Sequence, residues 1–327
     1  MVDIMNKDIQ VHEWVNPEGV LNEANIVARE QLYQGMNGRY VERFTVHTGE
    51  SYIFKPLTHD TQYGREQWVA QHIFPELALL VPQLIALSDA GTAPEQSWLI
   101  YEDLGHLSHD LSESVMLVTA VAMAYWHTLS TSAWNELPRV GQKPSIQDML
   151  NELLGHQQET ETLLSSLGMR LSSANWDDLT LQIRIAESRL PLVLCHGDLH
   201  PGNIAEVQGR LVIIDWEHVH LNTPLWDMYH LVDLSHPLFP RTITPQLRER
   251  VMTVYLDHLQ ECGVEIEPDS FATWYHAYAF VFSLWMLRLI HQDLNNVDCI
   301  WPEEQLRAQW HETAATLHQC MNQLFTE

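Results

Sequence analysis

At 327 residues the chain exceeds a typical single domain, and 46% hydrophobic content with 12 tryptophans argues against a disordered polymer. Lys and Arg number 17 against 43 Asp and Glu, a formal net charge of −26, which argues against sequence-independent nucleic-acid binding, where cations must meet phosphates. Cys195, Cys262, Cys299 and Cys320 show no CxxC spacing, so neither a zinc ribbon nor a disulfide framework is indicated. The N-terminus carries no apolar core of the kind a signal peptide needs. The longest greasy stretch, Ala277 to Ile290, is interrupted by Ser283 and Arg288 and is too short to span a bilayer. The expectation is a soluble cytoplasmic protein that binds neither nucleic acid nor membrane. Its acid excess keeps it in solution and would equally draw in a cationic small molecule.

Residues up to about Glu30 read as a helical lead-in. Ile26 to Tyr33 and Tyr40 to Val46 are β-rich runs around a turn carrying Gly35 and Gly38, and Ser51 to Lys55 is a third strand stopped by Pro56. Glycines at that turn would let backbone N–H groups approach a phosphate, although a hairpin turn alone requires no ligand. The chain has three lysines, Lys7, Lys55 and Lys143, and only Lys55 lies within an apolar β-run. A half-buried lysine there calls for an anion. Tyr63 to Phe74 reads as a helix closed by Pro75, with Glu66 in line with Val69, Ala70 and Ile73. That register either pairs Glu66 with a strand lysine or leaves it at the edge of the stripe. Strands over Gln83 to Ser88 and Ser97 to Glu102 follow, and Tyr101 to Gly105 links this lobe to the next.

The rest reads as mainly helical. Asp110 to Glu113 forms a capping arrangement before a stripe of Val115, Val118, Ala122, Tyr125 and Leu129. Helices from Ser145 and over Trp176 to Ser188 complete an all-helical insertion. Strands then deliver Asp198 and Asn203 in the loop after Leu192–Cys195, and Asp215 at the end of Leu211–Ile214. A helix starts at Pro224 with Asp227 near its beginning, Thr273 to Ile290 is apolar on most sides, and Glu303 to Phe325 closes the chain.

Two acids and an amide delivered by strand ends suit a metal-bound phosphate and a hydroxyl. His196-Gly-Asp-Leu-His-Pro-Gly-Asn203 followed by Ile214-Asp-Trp-Glu217 resembles the signature of the aminoglycoside phosphotransferase and choline kinase-like family. The resemblance runs from about Gln31 to Val232 and is most specific between His196 and Asp227. It implies an α+β, bilobal protein-kinase-like fold: a small N-terminal antiparallel β-sheet lobe with one helix, residues 1–102, and a larger, mainly helical lobe, residues 103–327. It further implies ATP and Mg²⁺ as cofactors, with Asp198 as catalytic base and Asn203 and Asp215 as metal ligands. Lys55 and Glu66 would form the nucleotide-lobe ion pair, Glu102 and Leu104 would offer backbone groups to the adenine, and His196 and Asp227 would support the catalytic loop. The turn at Gly35 and Gly38 departs from the protein-kinase pattern, and no activation segment follows Asp215, so the partner expected is a small-molecule hydroxyl compound.

Glu217, Asp233 and the ring faces of Trp216, Trp226, Trp274 and Trp285 would suit an amine-bearing acceptor such as an aminoglycoside or amino alcohol, with sugars open as well. Two rivals remain: an inactive nucleotide-binding scaffold of the same fold, and a zinc metallohydrolase using the histidines between His196 and His236.

Overall fold

The computed structural model describes residues 13–89, 91–296, 299 and 301–325. They fall into two compact units, one of residues up to Ser108 together with Glu206–Glu217, the other of His109–Ala205 with His218 onward.

The first unit is built on an antiparallel five-stranded sheet in the order β1-β2-β3-β5-β4, with β1 at Ile26–Gln34, β2 at Tyr40–Val46, β3 at Ser51–Pro56, β4 at Leu84–Leu87 and β5 at Trp98–Glu102. The two-residue period sorts the faces. On β3, Tyr52, Phe54 and Pro56 are buried, whereas Ser51, Ile53 and Lys55 point the other way. The buried face packs Phe44, Tyr52, Phe54, Trp98 and Ile100 under Trp14, whose ring stacks 4.8 Å from Tyr52.

That contact explains why the expected helical lead-in is absent over 15–25. Asn16, Pro17 and Gly19 turn the chain into a Val15–Leu21 bridge, and a short 3₁₀ turn at Glu23–Asn25 leads into β1. The earlier part of the expected lead-in, 1–12, lies outside the described residues. The edge strand β1 is almost wholly exposed and carries charge: Arg29 meets Glu42 at 2.7 Å, and Glu30 meets Arg43 at 2.6 Å. Charged edges resist pairing with another sheet.

Helix α1, Arg65–His72, is shorter than its pattern predicts. Gly64 precedes it in the left-handed region at φ +74°, and Pro75 starts a separate 3₁₀ turn at Phe74–Leu77. It buries Glu66, Val69 and Ala70.

The second unit holds α2 (Glu113–His127), α3 (Ile146–Gly155), α4 (Gln157–Ser166), α5 (Ser173–Arg189), α6 (Leu225–Val232), α7 (Pro245–Glu261), α8 (Pro268–Leu294) and α9 (Glu303–Leu324). A two-stranded sheet of β6 (Val193–Cys195) and β9 (His220–Asn222) lies among them, while β7 (Ile204–Val207), entering the Glu206–Glu217 segment of the first unit, pairs there with β8 (Arg210–Ile213). Helix α8 is the spine of this unit, with Phe271, Tyr275, Phe280 and Phe282 fully buried, and it packs on α9, α5 and α3. No helix among the described residues is long and apolar enough to cross a membrane.

Helix α2 corrects two details of the expected pattern. Its N-cap is Ser112, whose hydroxyl accepts from Val115 N–H, not Asp110. Its buried residues include Val115 and Ala122 of the expected stripe with Met116, Thr119, Ala120, Met123 and Ala124, while Val118 and Tyr125 of that stripe are 53% and 43% exposed. Both faces are apolar, so spacing alone does not choose between them.

Candidate active site

Lys55 is the hub of the first unit. On the second face of β3, opposite Leu99 of β5, its Nζ lies 2.8 Å from Glu66 Oε1, 2.8 Å from Asp215 Oδ1 and 3.7 Å from Glu217 Oε2. Tyr101 donates its hydroxyl to Glu66 Oε1 at 3.1 Å. Burial disfavours the ammonium, but the charges of Asp215, Glu66 and Glu217 prevail and hold the Lys55 pKa well above the usual lysine range. Burial raises Glu66 and Glu217, the latter helped by the charge of Asp215.

Burial raises Glu217 to about 8 and leaves it largely protonated at neutral pH, so Glu66 and Asp215 are the carboxylates that face the single ammonium and outnumber it, the condition under which a cation adds favourably. Asp215 presents its side chain at 39% exposure and adopts φ +66°, a backbone conformation rare outside glycine. Such strain persists only where surrounding structure enforces it, and it collects at functional positions.

The N–H groups of the glycine turn are paired within the first unit. Gly35 N–H donates to Arg39 O, Asn37 N–H to Thr58 O, Gly38 N–H to Gly35 O and Arg39 N–H to the Asn37 side chain. Those four donors are therefore engaged within the turn and its neighbour. A Cβ at Gly35 would come 2.5 Å from Thr58 Cβ, so a close backbone approach explains this glycine. In the link, Glu102 N–H donates to Gln83 O, and the Asp103 carboxylate accepts from Ser51, Arg43 and Gly105 N–H, fixing the turn that contains Leu104.

In the second unit, the loop after β6 is held from behind by Asp227 on α6. This fully buried carboxylate accepts from His196 N–H at 2.8 Å, Gly197 N–H at 3.1 Å and Trp126 Nε1 at 3.3 Å, with His127 Nε2 also at 3.3 Å. Burial would raise its pKa, but the hydrogen bond from His127 and the backbone N–H group of His196 bring it down to about 2.

Gly197 holds φ +91°, and a Cβ there would lie 2.1 Å from the His218 carbonyl oxygen. Gly197→Ala is therefore expected to cost about 1–3 kcal/mol or more, through left-handed strain added to backbone overlap. Urea unfolding checks this; a variant as stable as the wild type would contradict it.

The braced loop presents Asp198. Its N–H donates to His196 Nδ1 at 3.2 Å, its carbonyl accepts from Asn203 Nδ2 at 2.8 Å, and its carboxylate is 19% exposed. Oδ2 lies 3.5 Å from His200 Nε2, and Oδ1 lies 3.8 Å from Lys143 Nζ. Burial raises the Asp198 carboxyl, while His200 and Lys143 overcome it and hold it far below the usual carboxylate range. Asp198 is thus ionised at neutral pH.

The histidines of this region have local duties. His196 and His200 accept backbone N–H groups two residues on, from Asp198 and Gly202, and His220 and His230 face the carbonyls of His218 and Trp226. Burial lowers His230 to about 3 and His236 to about 4, so both are neutral at physiological pH. Among the described residues, the one group of three His, Cys, Asp or Glu side chains close enough to share a metal is His127, Cys195 and Asp227. Its His127 and Asp227 are already engaged in the brace.

Glu217, Asp233, Trp216 and Trp226, among the residues named for an amine acceptor, are engaged in the core or in ion pairs. Asp233 is buried against Arg248 at 2.6 Å and accepts from Tyr275 and Thr316, while Glu217 joins the Lys55 cluster. Trp216 and Trp226 are core rings, 1% and 0% exposed.

Sequence reasoning missed His127 and Trp126, which complete the brace, and counted Lys143 without placing it at Asp198. Lys143 sits in an irregular segment whose spacing carries no signal.

The model of the phosphotransferase enzyme family matches residues 37–264, well over half of the chain. No curated protein sequence is significantly similar to it. Among solved structures, the chain resembles the choline kinase LicA from Streptococcus pneumoniae at 18% identity and TM-score 0.53, covering 96% of this chain and 99% of that one. It resembles the amicoumacin kinase hAmiN, solved with AMP-PNP, Ca²⁺ and Ami, at 15% identity and TM-score 0.55, covering 98% and 94%. It also resembles an aminoglycoside phosphotransferase from Alicyclobacillus acidocaldarius at 14% identity and TM-score 0.50, covering 93% and 96%. These likenesses show the fold, which is protein-kinase-like: a small antiparallel sheet with one α-helix, and a larger helical part.

Proposed function

The chain belongs to the phosphotransferase enzyme family of small-molecule kinases, and from that membership we propose that it moves the γ-phosphate of ATP, with Mg²⁺, to a hydroxyl of a small molecule. The observation that carries this is Asp198. It is an ionised, partly exposed carboxylate on a loop braced by Asp227, with Asn203 tied to its carbonyl. Asp198 orients the acceptor hydroxyl and takes its proton late, as the new P–O bond forms in a loose transition state.

Residues 1–102 serve as the nucleotide-binding lobe and 103–327 as the catalytic and acceptor lobe. Lys55, positioned by Glu66, neutralises the non-transferred phosphates, and Glu102 and Leu104 offer backbone groups to the adenine. The glycine turn at Gly35 and Gly38 would have to release its internal hydrogen bonds to donate to a phosphate. The oxygen donors of Asp215 and Asn203 fit Mg²⁺, which prefers carboxylate, amide and phosphate oxygens. When bound, it neutralises charge on the phosphates. The hAmiN complex holds AMP-PNP together with Ca²⁺, which supports a nucleotide and a divalent cation acting as a pair here.

The acceptor favoured is an amine-bearing hydroxyl compound such as an amino alcohol or an aminoglycoside, with a sugar as the alternative; the choline kinase and aminoglycoside phosphotransferase likenesses support the former, although Trp216, Trp226, Glu217 and Asp233 are not free to line its pocket. A coupled ADP-release screen of amines, sugars and aminoglycosides at fixed ATP·Mg tests this. Turnover confined to sugars lacking an amine would contradict the favoured acceptor class. The inactive scaffold is the second reading, and ATP·Mg binding without turnover on any acceptor would favour it.

Asp215→Ala is expected to weaken ATP·Mg binding by at least tenfold, about 1.4 kcal/mol, in titration calorimetry. Equal affinity in the variant would remove Asp215 from the metal site.

A further inference from the structure

The segment before α3 carries Lys143 to the carboxylate of Asp198. It is anchored rather than loose. Leu221 N–H donates to Pro138 O at 2.9 Å, and Gly141 sits so close to β9 and α6 that a Cβ would lie 2.7 Å from His220 Cε1 and 2.9 Å from Trp226 Cζ2. Two residues on, Lys143 has a side chain only 19% exposed, and its Nζ stops 3.8 Å from Asp198 Oδ1.

That distance is informative. A charge-assisted N–H···O bond closes to about 2.7–2.9 Å, as Lys55 does with Glu66 at 2.8 Å. At 3.8 Å, an oxygen lying about 2.8 Å from each group fits between ammonium and carboxylate as a common neighbour. The oxygen that Asp198 is positioned to meet is the acceptor hydroxyl.

We propose that Lys143 is a second catalytic lysine, contacting the acceptor oxygen and the phosphoryl group that this oxygen receives. The inference rests on the phosphotransferase reading of Asp198. In the transfer, the P–O bond to ADP breaks, the bond from phosphorus to the acceptor oxygen forms, and the hydroxyl proton passes to Asp198. Asp198 thereby loses its charge while the new phosphate ester retains its own, so Lys143 exchanges a carboxylate for a phosphoryl partner as reaction proceeds. An interaction that strengthens along the reaction stabilises the transition state more than the ground state. Burial also lowers the Lys143 pKa against the opposing charge of Asp198, which favours reaction of its amine with an electrophile.

The chain has only Lys7, Lys55 and Lys143, which makes a direct test possible. An acyl phosphate of ATP places an electrophilic carbonyl on an oxygen of the γ-phosphate, just beyond the transferred group. A nearby lysine nitrogen attacks it, the carbonyl–oxygen bond to phosphate breaks, the amine loses a proton, and ATP departs with the lysine acylated. With the full-length wild type and peptide mass spectrometry, ATP-protectable label is expected on both Lys55 and Lys143. Label on Lys55 alone overturns the role of Lys143 and leaves the donor reading standing. Absence of protectable label on either overturns both.

A second arm follows Mg²⁺-dependent ATP hydrolysis, which needs no identified acceptor. K143M is expected to lower kcat about 100-fold with KM for ATP changed less than about threefold, and K143R to recover part of the loss. Wild-type kcat in K143M would overturn the proposal. If K143M fails to fold, the labelling of the wild type decides alone.

Discussion

Asp198→Asn is expected to lower kcat for phosphoryl transfer by about 10²- to 10⁴-fold, the range for a positioned general base, while leaving ATP·Mg affinity nearly unchanged. The amide keeps the size of the side chain and a hydrogen-bond acceptor for the hydroxyl, but it cannot take the proton. The loop should survive the change, because its supports are elsewhere: Asp227 holds the N–H groups of His196 and Gly197, and Asn203 holds the Asp198 main-chain carbonyl. Single-turnover kinetics with a hydroxyl acceptor, beside ATP titration of the same variant, separate the two effects. Unchanged turnover would remove Asp198 as the base.

Asp227→Asn is expected to destabilise the protein by about 3 kcal/mol or more and to abolish measurable transfer. Hydrogen bonds to a buried charged group contribute about 1.5–3 kcal/mol each, and a buried donor left without an acceptor carries its own penalty. The wild-type carboxylate offers both oxygens to backbone N–H groups; an asparagine offers one oxygen and turns an NH₂ toward the other donor. Its pKa adds a pH signature. The folded value of about 2 lies below the unfolded value near 3.9. The ionised Asp227 therefore stabilises the fold at all pH values above about 4, by about 2 kcal/mol, and this contribution is lost as pH falls through about 2. Urea unfolding of wild type and variant should show a gap at pH 7 that narrows between pH 4 and pH 2. A gap independent of pH would contradict the assignment of the charge to Asp227.

Much of this arrangement was legible in the residues because it follows short-range rules. Alternation in Ser51–Pro56 placed Lys55 on the face away from Tyr52 and Phe54, and helical spacing put Glu66 in line with Val69 and Ala70. The Asp198-to-Asn203 spacing marked a loop whose ends are joined by one side-chain hydrogen bond.

What escaped depends on contacts distant in sequence. The turn over 15–25 reads as helix until Trp14 is seen against Tyr52 and Phe44, some 30 to 40 positions on. His127 joins Asp227 across 100 residues, and Lys143 reaches Asp198 from a segment with no periodicity at all. Composition also leaves open which tryptophans and acids belong to the core and which could meet an acceptor. Composition counts Trp226 and Asp233, but only packing shows that both are buried and engaged, one on the Gly197 carbonyl and the other with Arg248.

The central claim is transfer of the γ-phosphate from ATP·Mg to a hydroxyl with Asp198 as base. The most direct measurement is ³¹P NMR of the wild type and Asp198→Asn, each incubated with ATP·Mg and pooled sugars, polyols and amino alcohols. The account predicts a phosphate monoester signal that grows in step with ADP for the wild type and is absent for the variant. ATP·Mg that binds yet yields no monoester, or a monoester formed equally by the variant, would contradict it.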